Sequence, residues 1–176
     1  MFKSILIAFV GAALSACVYT DANEGAATSS QSVRPAVITF GSSVQEILDA
    51  LEGKCATAVV RDLEPSLASV SEQRQIDCEG FDYFGAPRLA EFVFGDDRLV
   101  LVWILTEEGE HARLERAFTA EFGPPTHQAS VVTAYADDNA GIRKDRPEAG
   151  FYAPELSNRY RAFFDAAVAR DLENAG

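Results

Sequence analysis

Apolar positions along this chain change period several times, and each change marks an element. Val44, Ile47, Leu48 and Leu51 share one face at helical spacing. They follow Ser43-Val44-Gln45-Glu46, in which the serine and the glutamate can each satisfy a free backbone N–H at a helix start. Gly53 suits the left-handed residue that ends such a helix. The period then shortens to two. Residues 57–61 and 73–78 read as strands on either side of a Pro- and Ser-containing loop, Asp62 to Ser71, expected to be exposed. Glu79-Gly80 and Gly85-Ala86-Pro87 punctuate the next stretch. The strongest β signal is a hairpin of 89–94 with 99–105 around Gly95-Asp96-Asp97-Arg98. Setting Phe94 opposite Leu99 pairs Phe92 with Leu101 and Ala90 with Trp103 on an aromatic and leucine-rich face, which is core. It leaves Val93 with Val100, Glu91 with Val102 and Leu89 with Ile104 on the other. That second face is mostly aliphatic, so either further elements cover it or it binds something.

Helical spacing returns after Thr106, which is placed to cap a helix from Glu107 to about Phe122. Leu114, Phe118 and Phe122 form its apolar stripe, and Glu107, Glu108 and Glu110 suit its positive amino end. Gly123-Pro124-Pro125 stops it. A strand is expected at 130–135, then a polar turn from Asp137 to Gly141, then a return strand from Ile142 that Pro147 breaks. Pro154 opens a last helix with Leu156, Tyr160, Phe163, Phe164, Ala167 and Val168 on its apolar side. The expected fold is α+β: a mainly antiparallel sheet of about 4–5 strands with helices packed on it, in the order α-β-β-β-α-β-α. Residues 37–174 are long enough for one domain with a single core.

The amino terminus reads differently. Met1-Phe2-Lys3-Ser4 carries one positive side chain, and an apolar run, Ile5 to Ala13, leads to Leu14-Ser15-Ala16-Cys17. Charge, apolar run and small-residue cut site make a secretory signal over residues 1–16. The run is shorter than the roughly 20 apolar residues of a membrane-spanning helix. Leu14-Ser15-Ala16-Cys17 resembles the lipobox of bacterial lipoproteins. The resemblance implies cleavage before Cys17, diacylglycerol on its sulfur and acylation of the new amine. Several acyl chains anchor stably where one binds only marginally. Val18 stands where an inner-membrane retention signal would place Asp, which points by the same resemblance to the outer membrane. Residues 18–36, rich in Ala, Ser, Thr, Gly and Asn, are expected to be a flexible tether reaching roughly 20–25 Å.

Cysteine usage and charge narrow the chemistry. Cys55 and Cys78 would meet an oxidising compartment, where a disulfide between them is the default. The only histidines, His111 and His127, are far from both cysteines in sequence, so no metal site is expected. Formal net charge is -12, and the predicted cleavage removes Lys3 without removing an acid. Such a surface repels nucleic acid and anionic lipid headgroups, so membrane contact rests on the lipid anchor. Asp96-Asp97 and Asp137-Asp138 sit in predicted turns, where Asp is favoured for its backbone hydrogen bonds. Asp137 to Gly141 lacks the alternating ligands of a calcium loop. No motif of a nucleophile or metalloprotease surrounds either histidine, and no cofactor is expected. Arg143, Lys144 and Arg146 form the one basic cluster, able to grip a carboxylate or phosphate, or else to pair with Asp145, Glu148 and Glu155. Phe81-Asp82-Tyr83-Phe84 reads as a ligand platform or as core and edge packing.

Phe40-Gly41-Ser42-Ser43 with its helix, and the hairpin Glu91-Phe92-Val93-Phe94-Gly95-Asp96-Asp97-Arg98-Leu99-Val100, resemble the SmpA/OmlA lipoproteins of the outer-membrane barrel-assembly machinery. The resemblance spans residues 37–105 and implies a short helix on an antiparallel sheet and a binding habit. Beta-lactamase-inhibitor-like domains share that helix-and-sheet idea. The long loop between helix and sheet, the cysteine pair and the carboxyl-terminal third depart from the SmpA/OmlA pattern. The leading expectation is a non-catalytic, lipid-anchored envelope protein that binds another protein through a sheet face or edge. A small-molecule or polymer-binding module lined by Arg143, Lys144 and Arg146 is second, and an envelope hydrolase built on His111 or His127 is third.

Overall fold

The computed structural model describes residues 32–67 and 70–176; the expected signal segment, Cys17 and the expected tether up to residue 31 lie outside them. Among the described residues are three α-helices and eight strands. They run α1 (Val44–Ala50), β1 (Thr57–Leu63), β2 (Gln73–Tyr83), β3 (Ala86–Gly95), β4 (Arg98–Leu105), α2 (His111–Phe122), β5 (His127–Ala129), β6 (Val132–Tyr135), β7 (Ala140–Arg143), β8 (Glu148–Tyr152) and α3 (Ser157–Asn174). All eight strands form one antiparallel sheet in the order β1-β2-β3-β4-β8-β7-β6-β5.

This order follows from two similar units, each a helix and then a four-stranded meander. The meanders meet at their last strands, β4 beside β8, so their first strands, β1 and β5, become the two edges. The α+β antiparallel class expected from the sequence holds, and the expected 4–5 strands become eight. The extra strands come from the second meander. β5 is only three residues long, and β8, Glu148-Ala149-Gly150-Phe151-Tyr152, follows Pro147 and carries Gly150. Short length, proline and glycine all mask a strand in a sequence, whereas pairing on both sides restores it in the fold.

α1 begins as its sequence predicts: the Ser43 hydroxyl accepts from Glu46 N–H, and the Glu46 carboxylate accepts from Ser43 N–H at 2.8 Å. α2 starts later than expected. A 3-10 turn occupies Glu108–Glu110, the Glu107 N–H donates to the Glu110 carboxylate at 3.2 Å, and the Thr106 hydroxyl is buried without a hydrogen bond. The central hairpin keeps Phe94 opposite Leu99, with Asp96 and Asp97 both at positive φ as a two-residue turn needs. A bulge then inserts Val100, so Val93 faces Leu101, Phe92 faces Val102 and Glu91 faces Trp103. Beyond the bulge every expected pair is shifted: Leu101 and Trp103 move to the second face, and Val102 and Ile104 to the first.

Inward of β1, the sheet buries both of its faces. α1 and α2 cover one, with Ile47, Leu51, Ile76, Phe92, Phe94, Val102, Ile104, Leu114, Phe118 and Phe151 in its core. α3 covers the other, where Val93, Val100, Leu101, Val132, Tyr152, Phe164 and Ala167 are buried and Leu67 packs from the β1–β2 loop. The aliphatic second face of the hairpin is therefore a second core, and the expectation that it is a binding surface is withdrawn. The end of the expected tether is also packed. Val33 is buried, its N–H donates to Glu121 at 2.8 Å, and its carbonyl accepts from the Tyr83 hydroxyl at 2.9 Å.

Candidate functional site at the sheet edge

β1 departs from the pattern of the other strands. Thr57 to Asp62 are all exposed, and only Leu63 is partly covered. Val59 is 51% exposed and Val60 41%, although β-branched residues normally pack in a sheet. The cause is position. Among the described residues β1 pairs with β2 alone, from Thr57 opposite Glu79 to Leu63 opposite Gln73, and its other side carries a row of backbone N–H and C=O groups that none of them pairs. Register puts Ala58 and Val60 on the α1/α2 side, beside Cys78 and Ile76, and Val59 on the α3 side beside Asp77.

The loops around β1 are fixed. At the start, the Ala56 N–H bonds Glu79 O at 2.7 Å, and the Cys55–Cys78 disulfide ties the preceding turn to β2. The disulfide expected from the sequence is present. At the far end the buried Gln73 side chain accepts from Ser66 N–H at 2.9 Å and Leu67 N–H at 3.2 Å. Asp96 accepts from Ser71 N–H at 2.8 Å and Glu72 N–H at 3.0 Å. Both ends are anchored while the outer edge stays open.

The opposite edge is managed differently. β5 offers three residues, and α3 is fastened over it. His127 Nε2 lies 3.1 Å from Asp165, and the Asp171 carboxylate accepts from Ser130 N–H and from the Ser130 hydroxyl at 2.7 Å. Short length and a covering helix are the usual protections of an edge, and β1 has neither.

Electrostatics at β1 are one-sided. Arg61 is committed to Asp77, and Arg74 to Asp97 at 3.2 Å. Burial acts against the Asp77 charge, but hydrogen bonds from Arg61 and Gln75 hold its carboxyl below the ordinary range. Asp62, Glu64, Glu72 and Glu79 are exposed, and none is in an ion pair among the described residues. On the same face as Val59, Glu91 sits half-buried between Asp77 and Trp103. Burial, then the neighbouring Asp77 charge, pushes its carboxyl up.

The expected basic cluster is not brought together. Arg143 projects to the α3 side, its guanidinium over the Trp103 ring and paired with Asp145 at 2.7 Å and Glu148 at 2.8 Å. Lys144 projects to the opposite side and pairs with Glu115 of α2 at 3.0 Å. Arg146 is exposed. Tyr152 is buried under α3 with its ring stacked on Tyr160 at 4.2 Å. Burial raises both phenols, each to about 12. His127 stands between Thr126 Oγ1, at 2.9 Å from Nδ1, and Asp165, in the order of a hydroxyl-imidazole-carboxylate set. The hydroxyl is held by the β6 backbone, lying 3.1 Å from Ala134 O and accepting from Ala136 N–H at 3.0 Å. The arrangement clasps α3 to β5. Among the described residues no group of three or more His, Cys, Asp or Glu is placed to hold a metal ion.

Phe81 and Tyr83 are core, and the Phe84-Gly85 turn is held by Arg113 over the Phe84 ring at 5.3 Å, so the aromatic segment packs. A groove of about 620 Å³ lies between residues 32–37, Gly53-Lys54 and Gly80-Phe81-Asp82. Nothing in the sequence marks this groove, because its walls come from three distant segments. The sequence pattern shows β1 as a strand but not as an edge. The consecutive β-branched pair Val59-Val60 was the available signal.

Comparison with protein-family models, with curated proteins and with solved structures finds no match to this chain.

Proposed function

We propose that this chain is a lipid-anchored envelope protein whose domain is a non-catalytic module that binds another protein through the free edge of β1. The observation that carries the reading is the contrast between the two edges. β1 offers seven residues with Val59 and Val60 exposed, whereas β5 is short and covered by α3. Adding a strand to such an edge is a common mode of peptide recognition, with backbone bonds giving affinity and alternate side chains giving specificity. The lipobox at Leu14-Ser15-Ala16-Cys17 supports anchoring at an envelope membrane, the outer membrane facing the periplasm by preference. The Cys55–Cys78 bridge suits an oxidising compartment. The similarity to SmpA/OmlA lipoproteins is consistent with a binding habit. No helix of the described residues is long and apolar enough to cross a membrane.

The test is photocrosslinking in intact cells from a probe residue at position 59 or 60, with position 166 on the exposed face of α3 as control. One species captured from both edge positions and not from 166 supports the reading; edge positions that capture nothing above the control overturn it. A second reading, a small-molecule or polymer-binding module, now rests on the groove beside Arg34 and Lys54 and no longer on Arg143, Lys144 and Arg146.

A further inference from the structure

The open edge is neutral along its middle and acidic around it. Ala58, Val59 and Val60 are uncharged, Arg61 is spent on Asp77, and Asp62, Glu64, Glu72 and Glu79 stand exposed without ion pairs among the described residues. The chain as a whole carries a formal charge of -12. A second copy is a poor occupant. Two β1 strands pairing antiparallel about Val60 would set Asp62 of each copy across from Ala58 of the other, and Arg61, already committed to Asp77, across from Val59. β1 carries no other cation, so Asp62 would stay unpaired and each copy would bring its own acids to the shared edge.

We propose that β1 takes an extended, basic segment of a different protein as a ninth strand. This rests on the edge-binding reading above and adds the chemistry of the partner. Register defines what the segment must offer. On the α1/α2 side its residues meet Ala58, Val60 and Asp62, so two apolar side chains and one cation fit there. On the other side they meet Thr57, with Glu79 one strand further in, then Val59 and Arg61. An antiparallel segment reading basic, polar, apolar, apolar, apolar, basic from the Asp62 end satisfies both faces. Each cation then lies within reach of an unpaired carboxylate, and like-charge contacts are avoided on a surface this acidic.

The experiment uses two synthetic peptides, Lys-Thr-Val-Val-Val-Lys and Glu-Thr-Val-Val-Val-Glu, both capped at their ends, titrated into the folded, disulfide-bonded domain while backbone amide shifts are followed. The lysine peptide is expected to move the amides of residues 57–63 and to bind at least tenfold tighter than the glutamate peptide at low salt. The contrast should shrink at 0.5 M salt. Reversing the edge charges with Asp62→Lys and Glu79→Lys, both at exposed positions, should reverse the preference. Val59→Pro and Val60→Pro supply a second control. Successive amides of an edge strand point alternately inward and outward, so one of the two should abolish binding while keeping the thermal transition. Equal binding of both peptides at β1, or a preference for glutamate, overturns the basic chemistry and leaves the edge reading intact. Shifts elsewhere, or none, overturn the inference, while the edge reading stands or falls separately by the crosslinking at 59 and 60. Concentration-dependent shifts at β1 without peptide would mean that a second copy is the occupant, and would also overturn it.

Discussion

The indole of Trp103 lies across Gly150, so close that a Cβ on Gly150 would stand 2.0 Å from its Cζ3. The two are direct neighbours across the central β4–β8 pair, the seam where the meanders join. Tyr160 of α3 meets the ring edge-on at 6.2 Å, and the Arg143 guanidinium lies 5.9 Å from its centre. A glycine in a central strand, costly by itself, here makes room for the ring that couples the seam to α3.

Gly150→Ala should therefore destabilise the fold by about 1–3 kcal/mol, the range for overpacking a filled core. Urea titration should show a lower midpoint with an unchanged slope. Trp103 is the only tryptophan, so its emission should shift to the red as the ring leaves its slot. An unchanged midpoint would mean that the ring moves aside freely.

The Cys55–Cys78 bridge closes a loop of 23 residues in sequence separation, and the chain-entropy model gives about 3–4 kcal/mol for a loop of that length. Replacing both cysteines by serine should lower the urea midpoint accordingly. Thiol labelling of unreduced, denatured protein should find neither residue free. Labelling of either in well-oxidised protein would show that the bridge does not form.

The first half of the fold was legible because local chemistry and tertiary position agree there. The Ser43–Glu46 cap, the Asp96-Asp97 turn and the alternation in β3 each depend on near neighbours. The bulge at Val100 was not legible, since it depends on how β4 must fit both β3 and β8. β8 was hidden by Gly150, whose reason lies on another strand. The candidate site was half legible. Thr57 to Arg61 reads as a strand from β-branching, but whether a strand is central or outermost is decided by the β4–β8 seam. The basic cluster failed for a simpler reason: Arg143 ends β7 and projects to the α3 side, while Lys144, the first residue of the turn, projects the other way to Glu115 of α2.

Glu91 is half-buried beside Asp77, and its carboxyl is raised, first by burial and then by that charge. A raised folded value means that folding disfavours the ionised form. The cost is absent while the group is protonated and grows as pH rises past the unfolded value of about 4.3. Glu91→Gln should therefore stabilise the protein at pH 7 and do so less at pH 4. Thermal midpoints at the two values check the sign, and equal effects at both would remove the ionised carboxylate as the cause.

Asp171 gives the opposite sign. Its carboxyl is lowered, chiefly by the Ser130 hydroxyl and then by the Ser130 N–H. The stabilising contact is complete above the unfolded value of about 3.9 and is lost as pH falls through the lower folded value. Amide protection factors in the last turns of α3 and at Ser130, with the intrinsic pH dependence of exchange divided out, should fall in acid. Asp171→Ala should produce the same loss of protection at neutral pH and leave β1 unaffected. A uniform loss of protection across the sheet would mean that the contact holds the whole fold and not the α3–β5 clasp.

The proposed attachment to a membrane is expected to depend on Cys17 alone. A formal charge of -12 disfavours anionic headgroups, so no electrostatic contact is expected to stand in for the proposed lipid. Wild-type protein expressed in a Gram-negative host should incorporate labelled palmitate and stay in the membrane fraction through a high-salt wash. Cys17→Ala should incorporate none. It should leave the membrane fraction or persist as an uncleaved precursor, which the retained residues 1–16 distinguish by mass. Folding should be unchanged in released Cys17→Ala protein, because Cys17 lies well before Val33 in sequence and the described core, Val33 included, packs on residues far from it. Palmitate on the alanine variant, or wild-type protein stripped by salt, would mean that the lipobox is not what holds this domain at the membrane.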